Sequence, residues 1–106
     1  MLTIQDFQKM QLLVGRITSV ADHPDADKLY VMQIDVGGRA LQSVAGLKPY
    51  YRPEELEGRL VAVVANLQPA VLRGVESQCM ILAAQEGSKV VFLTPEKEIG
   101  VGARIR

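Results

Sequence analysis

The stretch 46-GLKPYYRPEELEG-58 is where a succession of short β patterns gives way to a helix in mid-chain. Pro53 stands at a first helical turn, Glu54 and Glu55 follow where the helix dipole is positive, and Gly58 supplies the stop. Working back from it, Arg39 to Val44 reads as a strand entered from a tight turn at Gly37-Gly38. Before that turn, Leu29 to Val36 alternates, with Tyr30, Met32, Ile34 and Val36 on one side. Earlier still, Leu12 to Ala21 is rich in β-branched and aliphatic residues, and Gly15 within it predicts a bulge or a sharp bend. HPDADK at 23–28 joins these two runs and is turn chemistry, a Pro with two Asp just after Asp22.

Downstream of the helix, Leu60 to Ala65 is continuously apolar, as in a strand buried on both faces. Asn66 to Gln78 reads as a polar loop, Cys79 to Ala84 as a fifth strand, and Val90 to Leu93 as a short strand after a turn at Glu86 to Lys89. Thr94-Pro95 opens an irregular tail. Three strands, a helical connection and two more strands is the element order of an OB-fold, a five-stranded Greek-key barrel. An SH3-like barrel is the alternative, and the helix between strands three and four favours the OB-fold. The expectation is an all-β barrel with short helices, in a single domain across residues 1–106. Ahead of it, Thr3 and Asp6 form a capping-box pattern, and Ile4, Phe7 and Met10 fall at helical spacing. So short a helix must pack on something, a second subunit being one option.

Composition narrows the classes. With 48% hydrophobic and 23% charged residues the chain falls among globular proteins. No apolar run approaches the ~20 residues of a membrane span, and MLTIQDFQKM lacks the pattern of a signal peptide. One cysteine cannot make an internal disulfide, which predicts a reducing, cytoplasmic setting. The 12 basic residues balance the 12 acidic ones, so an RNA partner would need a local patch, because the overall field is neutral.

No catalytic or metal site assembles from the residues. His23 is the only histidine and reads as a solvated or turn-capping side chain. Cys79 heads an apolar strand, where a free thiol acts as a small hydrophobe. Zinc lacks a ligand set, the Asp22, Asp25, Asp27 cluster lacks the glycine and closing glutamate of an EF-hand, and no glycine pair forms a phosphate-binding fingerprint. No cofactor is expected. A binding role fares better. Cations, aromatics and amide or hydroxyl groups cluster in the connections: Lys28 and Tyr30, then Lys48, Tyr50, Tyr51 and Arg52, then Asn66, Arg73, Ser77, Gln78 and Met80. Those are the side-chain classes that phosphates, bases and 2′-hydroxyls require.

Two segments, HPDADKLYV at 23–31 and NLQPAVLRGVESQCMILAA at 66–84, resemble the tRNA-binding domain. That domain occurs as a stand-alone dimeric protein, at the C-terminus of methionyl-tRNA synthetase, and in the cytokine-like cofactors of synthetase complexes. The resemblance implies structure-dependent tRNA binding at the outer corner of the L, without catalysis, by a homodimer associated in some cases with an aminoacyl-tRNA synthetase. It implies RNA contact by Lys28, Ser77 and Met80, a turn-fixing Asp27, and a basic position at Arg16 on the first strand. An exposed Ser77 hydroxyl would contribute on the order of 1 kcal/mol to binding and little to stability. The chain departs from the family in having Cys79 where glycine is usual, and Gln11-Leu12-Leu13 where an acidic–x–Arg pattern is common. Both a stand-alone protein and a synthetase domain fit, and Met1 leans toward the former. A related branch that acts as a secretion chaperone is the runner-up, and the Arg73 to Ser77 run looks more like the tRNA-binding branch. A protein–protein module within a synthetase assembly is a third reading.

Overall fold

A computed structural model describes all of residues 1–106. The elements in chain order are α1 (Ile4–Gln8), β1 (Leu12–Asp22), β2 (Tyr30–Asp35), β3 (Ala40–Ala45), α2 (Pro53–Leu56), β4 (Leu60–Val64), β5 (Ala70–Leu72), β6 (Val75–Ser77), β7 (Met80–Ile81), β8 (Ala83–Glu86) and β9 (Lys89–Phe92). Strand β1 serves two partners. Its first half runs antiparallel to β4, from Leu12 opposite Val64 to Arg16 opposite Leu60. Its second half pairs with β2, ending at Asp22 opposite Tyr30. The sheet order is β3-β2-β1-β4-β7, the expected five strands, with the helix between the third and fourth.

The bend that lets β1 cross between the halves lies between Ile17 and Ser19, where the register slips. Gly15 is not the bulge. A Cβ there would come 2.7 Å from Cγ2 of Ile34, so the missing side chain makes room for a neighbouring core residue. The periodicity was otherwise a faithful guide to the interior. Tyr30, Met32 and Ile34 point inward from β2, and all of β4 is buried.

The barrel closes between β3 and the residues leading into β7 by one backbone bond and side-chain bonds instead of a regular ladder. Gln78 N–H donates to the Gln42 carbonyl at 2.7 Å, and Gln42 N–H donates back to Gln78 Oε1 at 2.9 Å. One step along, the Val44 N–H donates to Ser77 Oγ at 3.0 Å. The backbone groups of a sheet edge need partners, and these two residues supply them.

The long connection before β7 is not a simple loop. It holds the hairpin β5–β6, with Leu72 opposite Val75. After β7 the chain leaves the main sheet for a second hairpin, β8–β9, so the single fifth strand expected over Cys79 to Ala84 is broken at Leu82. At the N-terminus both capping-box bonds of α1 are present, Asp6 N–H to Thr3 Oγ1 at 3.1 Å and Thr3 N–H to Asp6 Oδ2 at 3.0 Å. The tail returns antiparallel along β1, with Gly102 N–H on the Val14 carbonyl and Ile105 N–H on that of Leu12, each at 2.8 Å. No helix is long and apolar enough to cross a membrane.

Candidate nucleic-acid interface

Two turns remote in sequence meet at one end of the barrel. The 23–29 turn joins β1 to β2, and the tip of the β5–β6 hairpin reaches across to it. Together they line a concavity of about 350 Å³ formed by Asp25, Ala26, Asp27, Lys28, Leu29 and Arg73. Arg73 is exposed, and its Nη2 donates to the Asp25 carbonyl at 3.0 Å, which holds the guanidinium over the turn. Lys28 is exposed on the rim and makes no ion pair. Lys48 belongs to the same end, because its Nζ lies 3.1 Å from Asp22 Oδ1 at the root of the turn.

Arg73 occupies this place in an unusual conformation. It has φ +52° and Gly74 has φ +88°, the pair of left-handed residues that a two-residue type I′ hairpin turn demands. Asn, Asp or Gly is the usual first residue there, and an arginine is held against a local steric penalty. Such strain is a pointer to function when the side chain it delivers faces a partner.

The other expected contacts separate. Ser77 is buried, only 9% exposed, and its hydroxyl accepts the Val44 N–H and donates to the Cys79 carbonyl at 3.1 Å. That corrects the expectation of a free surface hydroxyl. The Gln78 side-chain oxygen is likewise engaged in the seam. Asn66 fastens the start of β1: it accepts the Gln11 N–H at 2.7 Å and donates to the Lys9 carbonyl at 2.8 Å. Arg16 donates to the Gly58 carbonyl at 2.8 Å and lies 3.7 Å from Glu98. Six strand residues from Asp22, it stands on the order of 20 Å from the Lys28 end.

Met80 borders an apolar groove beside the hairpin, with Val44, Ala45, Leu67, Leu72 and Ile81, of about 220 Å³. Leu67 and Leu72 were missed in the sequence, where they sit among polar neighbours.

Of the aromatics, only Tyr50 is open to a base. Tyr30 is buried, its hydroxyl donates to the Tyr51 carbonyl at 2.7 Å, and burial, reinforced by Asp22, pushes the phenol up. Tyr51 packs its ring on Phe92 at 5.1 Å, and Arg59 covers the Phe92 ring. Burial also pushes the Cys79 thiol up to about 11, leaving it protonated near neutral pH. No group of three or more His, Cys, Asp and Glu side chains gathers to hold a metal ion.

His23 departs most from its sequence reading. It is buried, and both ring nitrogens are bonded: Nδ1 accepts the Asp25 N–H at 2.9 Å, and Nε2 lies 2.9 Å from the Leu72 carbonyl. A turn-capping role was legible from the His-Pro-Asp order. The partner on the hairpin, far along the chain, was not.

A family model described as "Putative tRNA binding domain" matches residues 12–104. The chain is 55% identical over 104 residues to the methionine–tRNA ligase of Pyrococcus furiosus, a match covering 98% of this chain and 14% of that protein. Among solved structures it superposes on a MetRS-related protein from Pyrococcus horikoshii with a TM-score of 0.93 at 33% identity, over 100% of this chain and 98% of that one. It is also similar to the CsaA chaperone protein from Picrophilus torridus, with a TM-score of 0.92 at 30% identity over 100% of both chains. The chain therefore spans 14% of the length of the ligase it matches.

Proposed function

This chain belongs to the tRNA-binding domain family, and from that premise we propose that it binds tRNA by shape, as a non-catalytic module acting as one unit across residues 1–106. The observation that carries the reading is the meeting of Lys28 and Arg73 in one concavity, with Lys48 beside them. Phosphates at the outer corner of the L are its natural complement, since A-form helices are read through backbone and 2′-OH groups. Met80 and Tyr50 offer exposed apolar surface, Ser77 and Gln78 fix the backbone of the seam next to Met80, and Asn66 serves the start of β1. Arg16 is too distant to share one contact patch and serves a second stretch of the same RNA or the barrel alone.

A symmetric homodimer fits the exposed apolar residues at the N-terminus. Leu2 and Ile4 are 84% and 62% exposed, and Ile4, Phe7 and Ile105 line a hollow beside the tail. An isologous contact uses such a patch twice. The setting is cytoplasmic, either as a stand-alone protein or as the C-terminal domain of a methionyl-tRNA synthetase.

The chaperone reading is not adopted. The apolar groove beside Met80 has room for a side chain or two, too little for an extended polypeptide. A gel-shift titration with mixed tRNA, using single-stranded RNA as competitor, tests the proposal. Retardation by tRNA that excess single-stranded RNA fails to reverse is expected. Equal competition by the two RNAs would remove shape as the basis of recognition.

A further inference from the structure

A single imidazole ties the turn that carries Lys28 to the hairpin that carries Arg73. Because Nδ1 of His23 accepts the Asp25 N–H, it bears no proton, and the ring's one proton sits on Nε2, donated to the Leu72 carbonyl. Leu72 immediately precedes Arg73. Asp25 in turn gives its carbonyl to the Arg73 guanidinium. One residue of the turn is thus held by His23 through its N–H and holds Arg73 through its C=O.

We propose that neutral His23 is the positioning residue of the tRNA surface, and that its protonation releases the clasp and weakens tRNA binding. The inference rests on the tRNA reading above. An imidazolium donates from both nitrogens, so protonation sets the Asp25 N–H against a second N–H inside a buried site. Asp25 must then move, and both cations lose their common footing. The charged groups carried by the elements that meet at the ring are Asp22, Asp25, Asp27 and Lys28 on its own turn, Arg73 and Glu76 on the hairpin, and Lys48 on the third connection, paired with Asp22. The sign separates the clasp from plain electrostatics. An added positive charge beside Lys28 and Arg73 would strengthen binding to phosphate, whereas the clasp predicts a loss.

The test is tRNA affinity at fixed salt from pH 8 to pH 5.5 for the wild type and His23→Asn, with nitrogen–proton NMR of the free wild type. Asn keeps an acceptor for the Asp25 N–H in an Asx turn, carries no titrating group, and falls short of Leu72. Acidification should weaken the wild type about three- to tenfold, the scale of one lost hydrogen bond, and leave the variant level. In the free protein the ring should show Nδ1 without a proton at pH 8. The amides of Asp25 and Arg73 should shift with the same midpoint as the ring, a readout that needs no variant to fold. Wild-type binding that rises or stays level as His23 protonates, or an Nδ1–H at pH 8, overturns the positioning role while the tRNA reading stands. Absence of binding at pH 8 sinks both.

Discussion

At Arg73 the backbone and the side chain want different things. The left-handed turn favours asparagine, and the concavity needs a cation. Arg73→Asn should therefore raise folding stability by roughly 0.5–1 kcal/mol in urea denaturation. It should lower tRNA affinity and flatten the dependence of log affinity on log salt by about one unit. A variant that loses both stability and binding would show that arginine serves the fold. Ser77 presents the opposite case. Ser77→Ala strands the Val44 N–H inside the barrel seam, and a buried donor without an acceptor costs about 1–3 kcal/mol. Chemical denaturation of the variant measures that loss directly. The serine was legible in the sequence as a polar residue near a strand, but its partner is on β3, 33 positions back, and no local pattern announces the pairing. Lys28 and Arg73 were legible as cations in connections between strands, and the family resemblance singled out Lys28. The histidine between them was read as half of what it is.

Elements whose identity depends on local pattern came through the sequence well. The alternation of β2, the apolar run of β4 and the Pro-Glu-Glu start of α2 match the structure to within a residue or two. The β5–β6 hairpin escaped because β5 is fully exposed, so no alternation marks it. The Arg73-Gly74 turn was its only trace. The break of the fifth strand at Leu82 was hidden too, since a continuous apolar run does not say where a chain changes sheets. Asn66 joins elements that the sequence kept apart. Asn66→Ala should free the 9–11 backbone, speed hydrogen exchange at the Gln11 amide, and cost about 1 kcal/mol in stability. Cys79 lies in the seam, and its raised pKa has a sign that can be checked. The folded thiol keeps its proton while the unfolded thiol ionises, so its contribution to stability is full below pH 9.0 and is lost as the pH rises toward about 11. Native protein at pH 8 should accordingly resist an aromatic disulfide reagent, and urea should expose the thiol to it. Rapid labelling without denaturant would show that the seam opens.

The whole molecule carries no net charge, so its RNA affinity has to come from where the cations sit. Acidic neighbours are part of that arrangement: Asp22 holds Lys48, and Asp25 and Asp27 share the concavity with Lys28 and Arg73. A second copy of the chain would double the cationic end without altering the charge balance of either. Light scattering at micromolar concentration should give twice 11.6 kDa, and an 11.6 kDa species would remove the dimer. The docking proposed for tRNA is on the end bearing Lys28 and Arg73. Its most direct test is the salt dependence of tRNA affinity for the wild type and the Lys28→Ala/Arg73→Ala double variant, with folding checked by circular dichroism. The double variant should fold and bind tRNA more weakly, with a salt slope shallower by about two units, one for each phosphate contact removed. A folded double variant with wild-type affinity and an unchanged slope would contradict it.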